Sequence, residues 1–430
     1  MNGVIKSFSN LKLAIFLLLA IAFFSSIGSI IEQDKPIEFY KTTYTTSVFG
    51  IPFWFFLTLF SFNQIYTSGW FFLLLVLFGT CLLSCTFSRQ LPVLKFARRY
   101  YFYKYFSQFN KFTDKIQIKK INKTQLCYKF INENYSVCQN KIGFYCHKGL
   151  IGRIGPVIVH LSIICILLGS IVGATKGFNG QELIPKSEVF HIQNIIKVGN
   201  FAQIPQQTFR INDFWINFNK TGIIHQFYSD ISILSGDGKE IQRKTISVNN
   251  PFRYQKVTLY QTDWSIIGLR LKVKNATSIL QLPVLKISNT LKKVWISWFP
   301  IKIINSQIQT NGIIIVLNNV YGKIDLYNEN AQFIKSLSLG QTLVFNNFFD
   351  MKFIDNLLST GLQIKSDPGL KIIYIGFATL IISSFVSYIS FSEIWFLESS
   401  KKSIFGGKTN RDKIQFTNEI NKIKKSFSNR

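Results

Sequence analysis

The chain has 430 residues, 47% of them hydrophobic and only 16% charged, with 49 basic and 21 acidic side chains giving a net charge of +28. Soluble domains carry about a quarter charged residues, so a wholly soluble enzyme is excluded, and an aromatic content of 16% excludes a disordered chain. Six cysteines are too few for a disulfide scaffold, part of the positive charge follows from the Phe-, Ile-, Asn- and Lys-rich composition of an AT-rich genome, and no basic face interleaved with aromatics points to nucleic acid.

The first apolar stretch, 13–31, lies between Lys12 and Glu32 and is close to the roughly 20 residues that cross a bilayer. Lys6 and Lys12 would suit a signal peptide. However, the run exceeds an h-region of about 7–15 residues and no A-x-A-like site follows it, so residues 1–31 are read as a retained helix. In the segment 32–69, residues 48–59 are apolar and aromatic but too short to span. An interfacial or re-entrant helix is expected there.

The second span, 70–88, ends at Arg89 and carries Cys81 and Cys85 on one helix face. That pair offers a transmembrane thiol relay, although the spacing is not C-x-x-C, and small thiols in apolar helices need no function. The basic segment 89–152 holds Cys127, Cys138, Cys146 and His147, whose spacing fits no common zinc pattern. No C-x-x-C-H occurs, so the chain binds no covalent c-type haem of its own.

The third span, 153–175, contains His160, about 10 Å along the helix from Arg153. Ionisable residues at such depth are costly and are functional by default. Low dielectric favours the neutral imidazole, the state that ligates iron or another metal. Three roles stay open from the residues alone: a metal ligand or proton carrier, hydrogen-bonding glue between helices, or a side chain snorkelling to the interface. One histidine makes no bis-His site, so a second iron ligand would come from elsewhere.

Residues 176–370 read as β structure. Leu269-Arg270-Leu271-Lys272-Val273-Lys274 alternates strictly, as a strand with one wet face does. Gly312 and Asn318 bracket an apolar run of buried-strand type. Ser235-Gly236-Asp237-Gly238 and Asn328-Glu329-Asn330 supply hairpin turns. An antiparallel sandwich or open barrel of eight to twelve strands is expected. His191 and His225 share no spacing logic, and no hydrolase elbow, phosphate loop or paired-histidine motif is present, so the segment is not read as catalytic. A fourth span, 371–392, precedes the basic tail 393–430.

Charge decides the topology. Residues 32–69 hold two basic and three acidic side chains, 89–152 hold thirteen and two, and 393–430 hold nine and four. The positive-inside rule then places both termini and the basic segment on the cis side. The 176–370 segment, with 21 basic and 12 acidic residues, faces the trans side. The expected fold is four transmembrane α-helices with one large all-β domain between the third and fourth.

Motifs in this order resemble the ResB/CcsB family of System II cytochrome c biogenesis proteins, specifically a plastid-encoded member, almost end to end. They begin with Lys12-Leu13-Ala14-Ile15, Ile27-Gly28 and Glu32-Gln33, continue through Ile65-Tyr66-Thr67-Ser68-Gly69-Trp70, and include the stretch 148–162 with His160. In the β segment they are Ser247-Val248-Asn249-Asn250-Pro251-Phe252, Tyr260-Gln261-Thr262-Asp263-Trp264 and Gly361-Leu362-Gln363-Ile364-Lys365-Ser366-Asp367-Pro368-Gly369. The last is Gly406-Gly407-Lys408-Thr409-Asn410-Arg411.

The resemblance implies a CcsA-type membrane partner, apocytochromes c as substrates, and haem held transiently and non-covalently during its transfer and attachment. It implies that His160 is an axial ligand to haem iron within the membrane, and that the chain is a non-catalytic subunit of the haem-attaching complex in the plastid thylakoid, a bacterial plasma membrane being the alternative. Tyr254, Tyr260 and Trp264 are candidates to line the attachment chamber, with sheet core as the competing role. The rival functions are a haem-free assembly scaffold and the thiol relay.

Overall fold

Helix α1 (Leu11–Ile30) begins at Asn10, whose side chain accepts a hydrogen bond from the Lys12 amide. It is followed by α2 (Ile37–Thr43), α3 (Phe53–Leu59) and α4 (Gly69–Cys85). A π turn, Thr86–Gln90, leads from α4 into α5 (Leu91–Ala97), and then come α6 (Lys123–Asn132), α7 (Ile151–Lys176), α8 (Leu370–Tyr388) and α9 (Lys413–Ser428). Four helical runs are long and apolar enough to cross a membrane: α1, the 29-residue run Gly69–Ala97, α7 and α8. These are the four expected spans. The helical run of the second continues past Arg89 through the π turn into α5, with Pro92 in the first turn of α5. The 48–59 segment yields only the seven-residue α3, too short to cross at 1.5 Å per residue.

This computed structural model describes residues 7–428 except 49, 120–121, 220–223, 274–277, 288–293, 301–302, 305–306, 309–311, 318–321, 347–348 and 400–401. Lys6, Lys274 and Asn318 therefore lie outside the described residues. Two units form: Met1–Ala174 with Pro368–Arg430, and Thr175–Asp367.

In the first unit, α1 and α4 are clamped at one end by the motifs noted in the sequence. The Gln33 side chain donates to the Ile31 and Phe62 carbonyls and accepts from the Ile65 amide. Tyr66 donates to the Ser25 carbonyl at 3.0 Å, and its ring lies so close to α1 that a Cβ on Gly28 would stand 3.0 Å from it. Trp70 Nε1 donates to the Phe60 carbonyl. These residues join α1 to the start of α4.

The basic segment and the tail, which the sequence shows as separate stretches, fold together. Their strands form one five-stranded antiparallel sheet in the order Asp114–Lys119, Lys402–Thr409, Ser392–Glu398, Gly143–Lys148, Ser136–Gln139. The two-residue strand period sends Phe144, Cys146, Ile394 and Phe396 to one face, where Leu126, Phe130, Phe416 and Ile420 of α6 and α9 cover them. Tyr145, Trp395 and Leu397 go to the other face, against Phe109 and Phe112.

That sheet also sets how two spans meet. Strand Gly143–Lys148 leads into α7, and α8 leads into strand Ser392–Glu398, with Lys148 opposite Ser392. The pairing continues into the helices, where Gly152 meets Ile389, Gly155 meets Ser387, Ser162 donates to Thr379 Oγ1 at 3.0 Å, and Gly169 meets Ile373 and Gly369. Small residues let the two backbones approach, as in membrane helix pairs.

The Gly406–Arg411 motif closes the far end of α8. Asn410 Oδ1 accepts from the Phe391 amide at 2.7 Å, while Arg411 donates to the Ser387 carbonyl and lies over the Tyr388 ring. Asn410→Ala leaves that amide without its acceptor and should cost about 1–3 kcal/mol. Thermal unfolding of the detergent-solubilised chain checks this; an unchanged midpoint would remove the motif from the cap.

The second unit is β, with eighteen strands between Phe178 and Ser366 among the described residues. The excess over eight to twelve comes from strands of two to four residues, too short to carry a period. Val257–Val273 and Phe349–Ser366 are its spine, pairing antiparallel along nearly their whole length. One end of this pair packs with the four-stranded sheet around Phe209, Ile231, Leu259 and Ile364. The other end packs with the five-stranded sheet around Leu269, Trp295, Ile315 and Phe353. The unit is thus two sandwiches sharing two strands.

The expected hairpins are present between Ile224–Leu234 and Glu240–Ser247, where Gly238 has φ +75°, and between Lys323–Tyr327 and Phe333–Ser338. The Val248–Pro251 motif is a turn with Asn249 at φ +68°, a conformation asparagine tolerates. The Gln261–Asp263 motif is a bulge against Gly361, where a Cβ would come 2.9 Å from Asp263.

Candidate functional site

On α7, Gly155, Ser162 and Gly169 recur every seven residues and occupy the face turned to α8. At 100° per residue, His160 lies about 200° from Ser162, on the opposite face. Ile163, Ile164 and Leu167 share that opposite face and pack with Leu17 of α1 and Phe78, Cys81 and Leu82 of α4. The stripe that grips α8 therefore turns the imidazole toward α1 and α4. Pro156, one turn earlier, withholds an N–H from the Gly152 carbonyl and loosens α7 just before His160.

The imidazole is half-buried, and both ring nitrogens meet the π turn that follows α4. His160 Nδ1 is 3.0 Å from Thr86 Oγ1, and His160 Nε2 is 3.0 Å from Gln90 Nε2. Thr86 Oγ1 also donates to the Leu82 carbonyl at 2.8 Å. The π turn closes with the Leu91 N–H on the Thr86 carbonyl, a five-residue step that often marks functional sites. Gln90 Oε1 is buried and without a hydrogen-bond partner among the described residues. Thr86 and Gln90 are not visible in the sequence because they stand 74 and 70 residues from His160 with no pattern linking them.

Residues flagged by sequence are scattered. Trp264 is buried in one sandwich core, 5.4 Å ring to ring from Trp295, whereas Tyr254 packs against the other core. Tyr260 is half-buried on the face opposite Leu259. His191 and His225 are exposed. His147 lies on strand Gly143–Lys148 opposite Glu393, stacked 5.8 Å from Tyr145. Burial holds its pKa below the usual imidazole range, with the Glu393 carboxylate opposing.

All six cysteines are free; Cys81 is buried in the α1–α4–α7 core, and Cys127 and Cys146 are buried between the basic-segment sheet and its helices. No group of three or more His, Cys, Asp or Glu that could hold a metal occurs among the described residues. Double replacement of Cys81 and Cys85 by alanine should cost about 1 kcal/mol per buried atom lost and leave c-type cytochrome levels unchanged. Loss of mature cytochrome in that variant, with normal chain accumulation, would instead support a thiol relay.

A ring nitrogen within a membrane-spanning helix, capped by one neutral side chain with an orphaned acceptor, fits an axial contact to haem iron, since a neutral imidazole supplies that ligand.

The ResB-like family model matches residues 11–319 and 315–421. A protein of Thalassiosira pseudonana named cytochrome c biogenesis protein Ccs1 is 45% identical over 98% of this chain and 99% of its own length. Proteins of the same name from Heterosigma akashiwo (strain CCMP452 / OLISTH) and Pyropia yezoensis are 44% and 43% identical, each over 99% of this chain and over 100% and 96% of their own lengths.

Proposed function

The chain belongs to the ResB-like family and serves c-type cytochrome biogenesis, and from that premise we propose that it is the subunit that holds haem within the membrane on its way to apocytochromes c. Haem is its cargo, not a resident group. The observation that carries the reading is His160, a half-buried imidazole in a membrane-spanning helix whose Nε2 faces a single side-chain amide.

His160 would supply one ligand to the haem iron, and a CcsA-type membrane protein would supply the other. When bound, haem brings vinyl groups to which the apocytochrome's cysteine thiols add, forming thioethers; that chemistry is the cargo's and the substrate's. This chain's residues orient and exclude. The α7–α8 register fixes where the imidazole points, and apolar side chains of α1 and α4 pack on the same face of α7. In the thylakoid membrane, the basic-segment sheet lies in the stroma and the β-rich unit in the lumen, consistent with the basic charge of 89–152 and 393–430. There the β-rich unit braces the attachment step, with the half-buried Tyr254 and Tyr260 as its aromatic surface.

The test is the absorption spectrum of the chain co-purified with its CcsA-type partner. A Soret band is expected. A colourless pair in cells that still mature c-type cytochromes would overturn the haem-holding role and leave a scaffold.

A further inference from the structure

We propose that Thr86 and Gln90 form a two-part holder for His160: Thr86 locks the imidazole with its proton on Nδ1, making Nε2 the liganding atom, and Gln90 is a cap that covers Nε2 until haem displaces it. This deepens the haem reading above and rests on it for the identity of what displaces the cap.

The tautomer is assigned by counting protons. A threonine hydroxyl has one proton, and Thr86 directs it to the Leu82 carbonyl at 2.8 Å. Its 3.0 Å contact with His160 Nδ1 is then a hydrogen bond donated by the ring, Nδ1–H to Oγ1. A neutral imidazole has only one N–H, so Nε2 carries the lone pair. The group facing that lone pair at 3.0 Å is the Gln90 NH₂, which can only donate. The opposite amide orientation would set Oε1 against the same lone pair. All three contacts agree on one proton arrangement. Ligating histidines are commonly held this way, with the distal ring N–H donated to a fixed acceptor.

The cap is weakly held. Gln90 gives one hydrogen bond to Nε2 while its Oε1, buried, has no partner among the described residues. Moving the side chain off the ring loses one bond and frees an unmet acceptor. It also has somewhere to go, because Phe87, Ser88 and Arg89 on the same π turn are exposed. Thr86 is less free, since its hydroxyl is tied to the carbonyl of its own helix and stays when Gln90 leaves. A π turn places both residues, four apart, almost above one another toward α7.

The first measurement needs no haem. The full-length chain, labelled with ¹⁵N-histidine and reconstituted in lipid nanodiscs, contains four histidines, and the His160 resonances are those lost in His160→Gln. Free neutral imidazole side chains prefer the proton on Nε2, so a protonated Nδ1 and bare Nε2 at His160 is the discriminating result expected. Thr86→Val should move His160 toward the Nε2–H form, and Thr86→Ser should restore Nδ1–H. A wild-type His160 protonated on Nε2, or a tautomer indifferent to Thr86→Val, overturns the proposal.

The second measurement titrates haemin into the chain co-purified with its CcsA-type partner. Thr86→Val should weaken retention by about 10-fold, the lower end for losing a partner behind a ligand. Gln90→Leu should speed loading several-fold without moving the Soret maximum; slower loading in Gln90→Leu overturns the cap. If the tautomer behaves as assigned and haemin binding ignores His160, the haem reading fails while the proton arrangement stands.

Discussion

On the proposed haem-holding role, His160→Ala should strip the Soret absorption from the chain co-purified with the proposed CcsA-type partner while the two proteins still co-purify in normal yield. The ring is half-buried and its side-chain hydrogen bonds among the described residues are those with Thr86 and Gln90, so deleting it removes the proposed haem contact and leaves the Gly155–Gly169 face intact. Loss of a residue behind a ligand typically costs about 10–100-fold in affinity, and loss of the ligand itself should exceed that. Mature c-type cytochrome should fall in step with the haem. Retention of full Soret intensity in His160→Ala would remove the imidazole from the site, and disappearance of the chain itself would make it a structural residue.

Gly155→Leu should be strongly damaging to the fold of the membrane part. A Cβ at Gly155 would stand 2.6 Å from the Ser387 backbone, and one at Gly376 would stand 2.6 Å from Ile166 Cγ1. The first obstacle is main chain, so no rotamer change relieves it; α7 and α8 must separate. Overpacking usually costs about 1–3 kcal/mol, and a backbone obstacle puts this site at or above the upper end. Gly69→Ala is the contrasting control, because nothing lies within 4 Å of its added Cβ, and it should be neutral or slightly stabilising. The half-life of the folded chain in detergent reads both variants. Equal half-lives for Gly155→Leu and Gly69→Ala would show that α7 and α8 do not meet at this face.

The membrane part was largely legible, because a span needs only about 20 apolar residues and that requirement is written in consecutive positions. His160 stood out for the same reason, as an ionisable side chain within such a run. The alternation in 269–273 and the turns at 235–238 and 328–330 were local too, and the structure has strands and hairpins there.

What escaped was non-local. Strand Asp114–Lys119 pairs with Lys402–Thr409 almost 290 residues later, so the basic segment and tail read as two loops, not one sheet. The motifs 261–263, 361 and 406–411 were visible as resemblance but their work was not: a bulge, the flat residue facing it, and the cap of α8.

The sequence by itself determined the four apolar runs, the partition of basic residues between them, the β character of 176–370 and the presence of an imidazole within the third run, since each follows from composition, hydropathy or period along a continuous stretch. Only the tertiary structure decided which way that imidazole points and what meets it. The orientation comes from the glycine-lined contact of α7 with α8, in register with strands outside the membrane, and the partners Thr86 and Gln90 come from another helix. Contacts between segments far apart in the chain depend on packing, and packing leaves no periodic mark on either segment alone.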